Sequence, residues 1–461
     1  MMKIAPLRTM LLCAACLCFQ SQAAFAEENY ICERLQQEET YGASSDHKFL
    51  IQGKNGYVYR SEKDFREDFS LTPETVGLFK ALDSALKSRG IEMISILPPT
   101  RGIVAYNNLP ESHPRLKPFN IDKAKASYSE FIATLNKSGV TALNYDDVIT
   151  GDIPFFYKRD HHWTTEGAQL SARKTAALIK DLPAYKQMKK QEFVTTKGVE
   201  QSLHGSINNY IRKQCKNDAP FEKSPNYTTR PVREASSAHD LFGASETAAI
   251  ALVGTSNCVD GASSYANFSG FLEQELSTAV DNFSVGGAGI DTPLLTWLSS
   301  DAYRNSPPKV MIWEIATHYR YNGSLVHNVL RQAIPAAYGA CKKTARASSQ
   351  VDIKGERESL FKDLGDKNLM ADEYYIHLSF SKPVKDDFAI NMTHVSGKST
   401  SFAFKRADKA DPATDYYYLP PAKDKTPLRA LTLKAADDMQ GVSVDATLCP
   451  MPKARKKLFG L

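Results

Sequence analysis

The chain has 461 residues, of which 42% are hydrophobic and 24% are charged, with a formal net charge of +5. This composition is typical of a globular protein, and the length exceeds what one hydrophobic core usually supports, which predicts more than one domain. So small a charge excess does not indicate a nucleic-acid-binding protein. A mildly basic surface is compatible with a polyanionic glycan ligand, but ordinary solubility explains the charge as well.

The N-terminus has the pattern of a secretory signal peptide. Lys3 and Arg8 give a positive start, an apolar run covers Met10–Phe19, and Ala24–Ala26 forms a small-x-small cleavage site. The apolar run is shorter than the roughly 20 residues that span a bilayer. We therefore assign residues 1–26 to a cleaved signal and expect export to the periplasm; an uncleaved N-terminal anchor is the alternative.

Five cysteines remain after removal of the signal, and none is spaced as a Cys-x-x-Cys metal or redox motif. Widely spaced cysteines in an oxidising compartment favour disulfides that close long loops. We predict the pairs Cys32–Cys215 and Cys341–Cys449, with Cys258 as the odd thiol. The spacing alone leaves other pairings open.

Residues 27–340 alternate short apolar runs with helical patterns, which predicts an α/β domain with a mostly parallel sheet. A predicted strand at 91–97 follows a predicted helix over Thr75–Ser88. Ligands of such sheets bind beyond the carboxyl ends of the strands, where three of the motifs described below lie. The other predicted strands cover the apolar runs at 248–253, 279–285 and 309–315.

The pattern changes near residue 340. Short alternating or aromatic runs, separated by turn-rich segments such as Pro420–Pro421, predict an all-β sandwich. We assign this domain to 341–450, closed by the Cys341–Cys449 bridge, and a basic tail to 451–461. The predicted strands of the sandwich are 374–380, 387–391, 401–404, 416–419 and 431–434.

The segment Asp160–Trp163 carries the first candidate chemistry. An Asp-x-His spacing lets both side chains point the same way from an extended segment, and a carboxylate beside an imidazole stabilises the imidazolium of acyl transfer. Thr164 or Thr165 is a candidate N-cap for a helix over Glu166–Leu182, so the pair would lie where a loop enters a helix. The alternatives are a zinc or iron site and a solvated loop histidine.

The second candidate is Ser256 in the segment Gly254–Asn257, directly after the predicted strand 248–253. A serine at a sharp strand-to-helix turn exposes its hydroxyl above the sheet, and the turn aims backbone N–H groups at a developing oxyanion. The sequence is not the Gly-x-Ser-x-Gly elbow of lipases. Considered alone, the segment is better explained as a turn glycine followed by a capping serine.

Three further segments follow predicted strands. Gly286 and Gly287 let the backbone approach a ligand and are able to supply an oxyanion donor, or they form a plain flexible turn. Tyr319 is a candidate hydrogen-bond donor to an oxyanion or a sugar, and His318 a second base or ligand, unless both simply pack. Arg101 suits bidentate binding of a carboxylate, but the alternative of an ordinary surface arginine is the default interpretation.

Together these motifs resemble the AlgX family of alginate O-acetyltransferases, which have an SGNH-hydrolase-like domain followed by a carbohydrate-binding β-sandwich. The resemblance implies a three-layer α/β/α domain over 27–340 and a carbohydrate-binding module over 341–450. The family's lysine-threonine-tryptophan sugar-contact cluster aligns only with Lys385–Ala389, which has no tryptophan. The most specific matches are Pro99–Gly102, Asp160–Trp163, Leu252–Asn257, Pro307–Lys309 and Trp313–Tyr319.

The resemblance also implies roles for individual residues. Ser256 would be the nucleophile, His162 the base and Asp160 its orienter, in a chain order reversed from ordinary SGNH hydrolases. The same two disulfides, Cys32–Cys215 and Cys341–Cys449, are implied, and no metal or organic cofactor is needed. The residues expected to support the oxyanion or the substrate are Tyr319, His161, Asn257, Gly286, Gly287 and Arg101.

The implied function is a periplasmic O-acetyltransferase that adds acetyl groups to an exopolysaccharide, alginate or a similar polyuronate, through an acyl-serine intermediate. Its acetyl donor would come from membrane-bound O-acyltransferase partners, and it would work with a polysaccharide secretion complex. Three alternatives stay open: a polysaccharide acetylesterase, a non-catalytic polysaccharide-binding scaffold of an export complex, and a metal hydrolase. A triad alone does not separate transfer to sugar from transfer to water.

Overall fold

The computed structural model describes residues 29–42, 47–116, 118–150, 153–216, 219–232, 248–260, 266–384, 387–404, 414–423 and 425–452. The predicted signal peptide, most of the predicted basic tail, and Lys385 of the aligned sugar-contact segment lie outside these ranges. Within them, no helix is both long enough and apolar enough to cross a membrane.

Polar side chains cap the starts of several helices. The Thr72 side chain accepts a hydrogen bond from the N–H of Thr75, and Asn120 caps the helix that starts at Ile121 in the same way. Such caps satisfy N–H groups that have no partner inside the helix. In chain order the α-helices are α1 (Pro73–Lys87), α2 (Arg101–Val104), α3 (Ile121–Lys137), α4 (Thr165–Lys180), α5 (Ser206–Cys215), α6 (Phe268–Leu276), α7 (Asp291–Leu298), α8 (Asp301–Asn305) and α9 (Ser324–Tyr338).

The strands divide between an N-terminal and a C-terminal region. Those of the first region are β1 (Leu50–Gln52), β2 (Val58–Arg60), β3 (Glu92–Ile96), β4 (Thr141–Ala142), β5 (Phe193–Leu203), β6 (Glu222–Pro231), β7 (Ile250–Val253), β8 (Val280–Asn282) and β9 (Val310–Glu314). Those of the second are β10 (Ala347–Asp352), β11 (Arg357–Phe361), β12 (Tyr374–Val384), β13 (Phe388–His394), β14 (Ser399–Phe404), β15 (Thr414–Leu419), β16 (Leu428–Lys434) and β17 (Ser443–Pro450).

A five-stranded parallel sheet in the order β4-β3-β9-β7-β8 forms the centre of the first region. Every residue of β7 and β9 is buried, as expected for a parallel sheet covered on both faces. The units β3-α3-β4 and β7-α6-β8 cross the sheet in opposite directions, so right-handed crossovers place α3 and α6 on opposite faces. Helices α1 and α9 pack together, and α4 packs on α6. The predicted α/β domain with a mostly parallel sheet and helices on both faces is confirmed.

Some predicted boundaries shift. Helix α4 begins at Thr165 with Thr164 as its cap, the first of the two candidates, and ends at Lys180 rather than at Leu182. The predicted strand 279–285 contains only the three residues of β8. Beyond Asn282 the chain stays beside β7 through single hydrogen bonds, such as that from the N–H of Val285 to the Gly254 carbonyl, without a regular ladder.

The C-terminal region is a sandwich of two four-stranded antiparallel sheets, in the orders β10-β17-β12-β15 and β11-β16-β13-β14. Its predicted all-β class is confirmed, with three strands beyond the five predicted: β10, β11 and β17. The disulfide Cys341–Cys449 joins the segment after α9 to β17, and the Tyr375 hydroxyl donates to the Gly339 carbonyl. The boundary at residue 340 stays a prediction.

An antiparallel ribbon of β5 and β6 flanks helix α5, and the sequence patterns did not predict it. Much of the ribbon is exposed, so it carries little hydrophobic signal. The second disulfide, Cys32–Cys215, ties the N-terminal segment to the last residue of α5. Through α5, this peripheral region reaches the loop that carries Asp160.

Candidate active site

A short loop between Phe156 and Trp163 positions Asp160 and His162. An isolated antiparallel bridge pairs Phe156 with Trp163, and the N–H of Tyr157 donates to the carbonyl of His162. The His162 Nδ1 atom lies 2.9 Å from the Asp160 Oδ2 atom. The aspartate is 3% exposed, so its carboxylate contacts protein groups rather than bulk water.

Ser256 reaches the same imidazole from the opposite side. It lies three residues beyond the end of β7, at the carboxyl edge of the sheet, and its Oγ atom is 2.7 Å from His162 Nε2. Serine, histidine and aspartate thus form a continuous hydrogen-bonded row, the arrangement of an acyl-transfer triad. The next described helix, α6, begins only at Phe268, so the serine lies on a turn rather than directly at a helix start.

The second oxygen of Asp160 is held by groups that fix its orientation. Its Oδ1 atom accepts hydrogen bonds from the N–H of His161 at 2.7 Å and from both the N–H and the hydroxyl of Ser206 at 3.2 and 2.9 Å. Ser206 is the first residue of α5, so the carboxylate also meets the positive end of that helix. No motif in the sequence pointed to Ser206.

The protonation states follow from these contacts. Burial alone would raise the pKa of Asp160, but His162 and the hydrogen bonds outweigh it and hold that pKa below its ordinary value. Burial alone would lower the pKa of His162, but the Asp160 carboxylate raises it above its ordinary value. An ionised Asp160 accepts from His162 Nδ1–H, which leaves Nε2 free to accept the proton of Ser256.

The turn that carries Ser256 is closely packed. A β-carbon at residue 254 would lie 2.9 Å from the sulfur of Cys258, so a side chain there would displace that residue. A β-carbon at Gly286 would lie 3.8 Å from that of Ser256, which shows how near the glycine segment comes to this serine. The free thiol of Cys258 is fully buried beneath the turn.

A cavity of about 350 Å³ opens beside Ser256. Most of the predicted supporting residues line it, and Gly286 adjoins it through its approach to Ser256. Asn257 contributes to the wall, but its side-chain amide is engaged inside the protein, where it donates to Glu314 and accepts from the N–H of Trp163. The predicted residues in the wall are Arg101, His161, Ser256, Asn257, Gly287 and Tyr319.

Arg101 is not a surface residue. Its side chain is 2% exposed, and the guanidinium donates to the carbonyls of Val58, Tyr157 and Lys158 and pairs with Asp64 at 3.3 Å. The alternative of an ordinary surface arginine is therefore wrong. The carboxylate that Arg101 meets belongs to the protein itself, and the residue ties β2 to the loop that leads to Asp160.

Residues 50–317 match the model of the family described as "SGNH hydrolase-like domain, acetyltransferase AlgX", which is more than half of the 461-residue chain. The chain belongs to the AlgX family. The alginate biosynthesis protein AlgX of Azotobacter vinelandii is 31% identical over 369 residues, 77% of this chain and 73% of the relative. The solved structure of Pseudomonas aeruginosa AlgX superposes with a TM-score of 0.78 at 25% identity, covering 92% of this chain and 100% of that one.

A second kind of relative of this AlgX-family chain matches a smaller share of it. The protein of Pseudomonas putida named "Probable alginate O-acetylase AlgJ" is 26% identical over 294 residues, 60% of this chain and 73% of the relative.

The AlgX-family site also has the residue types of a metal centre. The ligand atoms of Asp160, His161 and His162 all lie within 4.8 Å of one another. In the structure these atoms bond to each other and to Ser206, which binds His161 Nδ1 at 2.7 Å. A metal ion would have to replace those hydrogen bonds, and the donor set fits an acyl-transfer triad without rearrangement.

Proposed function

We propose that this AlgX-family protein is an O-acetyltransferase that adds acetyl groups to alginate or an alginate-like exopolysaccharide. The observation that carries the proposal is the row of contacts from Ser256 Oγ to His162 Nε2 at 2.7 Å and from His162 Nδ1 to Asp160 at 2.9 Å. The names of the AlgX and AlgJ relatives, an alginate biosynthesis protein and a probable alginate O-acetylase, support the polymer and the reaction.

The first half-reaction acetylates the serine. The Ser256 oxygen attacks the carbonyl carbon of an acetyl donor while its proton passes to His162 Nε2. Asp160 stabilises the imidazolium that forms. When the tetrahedral intermediate collapses, the bond to the donor's leaving group breaks, His162 returns the proton to that group, and acetyl-Ser256 remains.

In the second half-reaction, acetyl-Ser256 is the acetyl donor and a sugar hydroxyl is the acceptor. A sugar hydroxyl gives its proton to His162 and attacks the acetyl carbon, and the bond from Ser256 Oγ to that carbon breaks as the serine regains its proton. The same imidazole thus acts as base and then as acid in each step. No redox step or metal-bound intermediate is required.

Backbone N–H groups beside the serine are suited to hold the oxyanion. Within the described chain, the N–H groups of Ser256 and Gly287 donate no hydrogen bond, and Gly287 has a φ of +73° in a segment that lies against Ser256. Unpartnered donors at the nucleophile are the groups that stabilise a developing alkoxide. Tyr319, in the same cavity wall, is our candidate for a further donor to the oxyanion or the sugar.

The charge of the cavity suits an acidic polymer. Its walls include Arg60, Lys63 and Arg101 against the single carboxylate of Asp64. A positive surplus in a concave site attracts a polyanion such as a polyuronate. Two disulfides fit an oxidising compartment, which supports action in the periplasm. In this proposal, membrane-bound O-acyltransferase partners deliver the acetyl groups, and the protein works with a polysaccharide secretion complex.

The proposal is tested with purified protein, p-nitrophenyl acetate as activated donor, and polymannuronate oligosaccharides as acceptor. We expect acetylated sugar by mass spectrometry, an acetyl group on Ser256 when the acceptor is omitted, and neither product with Ser256→Ala. Release of acetate alone at every acceptor concentration would mean an esterase. Activity that survives Ser256→Ala and disappears with a chelator would mean a metal hydrolase.

A cellular experiment separates the enzyme from a scaffold. A producing strain that carries Ser256→Ala should secrete the polymer without the acetyl groups that this protein adds. Unchanged acetylation in that strain would contradict the proposal and favour a non-catalytic, polysaccharide-binding role.

A further inference from the structure

A carboxylate that the mechanism does not use lies directly behind the nucleophile. Glu314 is the last residue of β9, and it is 1% exposed. Its Oε2 atom accepts hydrogen bonds from the N–H and the hydroxyl of Thr255 at 2.8 and 2.7 Å. Its Oε1 atom accepts from the side-chain amide of Asn257 at 3.0 Å. One carboxylate therefore binds both neighbours of Ser256 in the chain.

The same contacts extend to the histidine loop. The Asn257 side-chain oxygen accepts from the N–H of Trp163 at 3.3 Å, and the Asn257 carbonyl accepts from the indole N–H of Trp163 at 2.9 Å. Trp163 directly follows His162. A chain of hydrogen bonds thus connects Glu314 to both sides of the contact between Ser256 and His162.

We propose that Glu314 is a positioning residue for acyl transfer, whose carboxylate fixes the turn that carries Ser256 and sets its distance from His162 through Asn257 and Trp163. This inference rests on the proposed function, because it assigns a role relative to the Ser256–His162 pair.

An ionised carboxylate suits this position better than an amide. Both Glu314 oxygens accept hydrogen bonds, and in the part of the chain that the structure describes no lysine or arginine forms an ion pair with them. Burial raises the pKa of Glu314, whereas the bonds from Thr255 and Asn257 oppose that shift. Burial is the larger effect, so the pKa of Glu314 lies above its ordinary value. A buried carboxyl group whose two oxygens accept three hydrogen bonds beside Ser256 points to a specific role for those bonds.

Glutamine at this position would break the chain of contacts. One end of its amide can still accept from Thr255, but the NH2 group would then face the NH2 group of Asn257. If Asn257 turned its amide over to accept from the glutamine, its NH2 group would face the N–H of Trp163. Either way, one buried donor loses its acceptor next to the triad.

The experiment compares four variants with the wild type by the single-turnover rate at which p-nitrophenyl acetate acetylates Ser256. We expect Glu314→Gln to slow acetylation about 100-fold with little change in KM, since small misplacements of a nucleophile have effects of that order. Thr255→Val removes the bond from its hydroxyl to Glu314 and the longer 3.4 Å bond that this hydroxyl accepts from the N–H of Asn257, and it should slow acetylation about 10-fold. The double variant Asn257→Asp with Glu314→Gln restores an acceptor for each donor and should recover much of the rate.

Asp83→Asn is the matched control for loss of a buried carboxylate. Asp83 pairs with Lys87 at 3.0 Å near the C-terminal end of α1. Lys87 also contacts Glu92 at the start of β3, so this group of charges lies at the amino edge of the sheet, opposite the edge that carries Ser256. This variant should acetylate at the wild-type rate even where its melting temperature falls.

The pH profile is a second readout, which a merely structural role would not move. Glu314 and Asp160 both raise the pKa of His162, so removal of the Glu314 charge should shift the acid limb of the acetylation profile to lower pH. A wild-type rate and an unshifted limb in a folded Glu314→Gln variant would overturn the inference. If that variant does not fold, a wild-type rate in Thr255→Val overturns it instead. A wild-type protein that never acquires acetyl on Ser256 would overturn the proposed function itself.

Discussion

The rings of His161 and His162 lie with their centroids 4.0 Å apart and their planes tilted by 35°, yet the pKa values of the two side chains shift in opposite directions. Burial, followed by the charge of His162, lowers the pKa of His161 well below its ordinary value, whereas Asp160 raises that of His162. These opposite shifts favour protonation of His162, the ring that contacts Ser256, over protonation of His161.

This division predicts the pH dependence of acetylation. The base form of His162 is the neutral ring, and its raised pKa means that activity should fall as the pH drops through a value above the ordinary 6.5 of histidine.

In Asp160→Asn the acid limb of the pH profile should move to lower pH, and the maximal rate should fall about 10⁴-fold, the loss measured for the equivalent change in a serine protease triad. The measurement is the rate of Ser256 acetylation across pH 5 to 9 (about 0.5-unit steps, in buffers of constant ionic strength). An unmoved limb in Asp160→Asn would contradict the assigned pair.

Ser206 should matter through its hydroxyl, which contacts both Asp160 and His161. Ser206→Ala removes one hydrogen bond to a charged acceptor, and a loss of about 1.5–3 kcal/mol in transition-state stabilisation is expected. That corresponds to a rate of acetylation roughly 10- to 100-fold lower. Ser206→Thr keeps the hydroxyl and is the matched control. Equal rates in the alanine and threonine variants would show that the backbone N–H of residue 206 suffices to orient the carboxylate.

Arg101 should affect stability more than substrate binding. Arg101→Met removes hydrogen bonds to three backbone carbonyls, although that of Lys158 still accepts from the N–H of Val58, and it removes one of the two arginines beside the buried Asp64. We expect a loss of about 3–5 kcal/mol in the free energy of unfolding, measured by urea denaturation, because a buried charge loses a partner. Arg101→Lys should recover only part of it, since an ammonium group does not reproduce the planar fork. A raised KM for oligosaccharide at unchanged stability would instead support direct substrate binding.

The Cys341–Cys449 bridge should stabilise the link between the two regions. It closes a loop with a sequence separation of 108, and such a cross-link contributes about 2–4 kcal/mol by restricting the unfolded chain. The double variant Cys341→Ser with Cys449→Ser should therefore melt at a lower temperature and keep acetylating Ser256 at 25 °C. A melting temperature equal to that of the oxidised wild type would argue against this contribution.

The sequence predicted the elements whose signals are local. Buried strands such as β7 and β9 are continuous apolar runs, and the start of α4 follows from its threonine cap. Strands β10 and β5 gave no such signal, because β10 alternates exposed and half-buried residues and β5 is largely exposed. Their pairing depends on distant partners, β17 and β6, which no short window of sequence contains.

The same difference applies to the site. Asp160 and His162 are two residues apart, and Ser256 follows a recognisable strand, so spacing and resemblance were sufficient to select them. Ser206 and Glu314 have no such local mark. Glu314 is one acidic residue at the end of an apolar run, and its role depends on hydrogen bonds to Thr255 and Asn257, which only the folded chain brings together.

The two ends of helix α5 make different contacts, because its first residue, Ser206, binds the Asp160 carboxylate and its last, Cys215, is cross-linked to Cys32. A newly made chain in which Cys215 is still reduced lacks the cross-link at the C-terminal end of this ten-residue helix. We expect such a precursor to hold Asp160 loosely and to transfer little acetyl before the disulfide forms. Recombinant material made in a reducing cytosol should accordingly gain activity when it is air-oxidised.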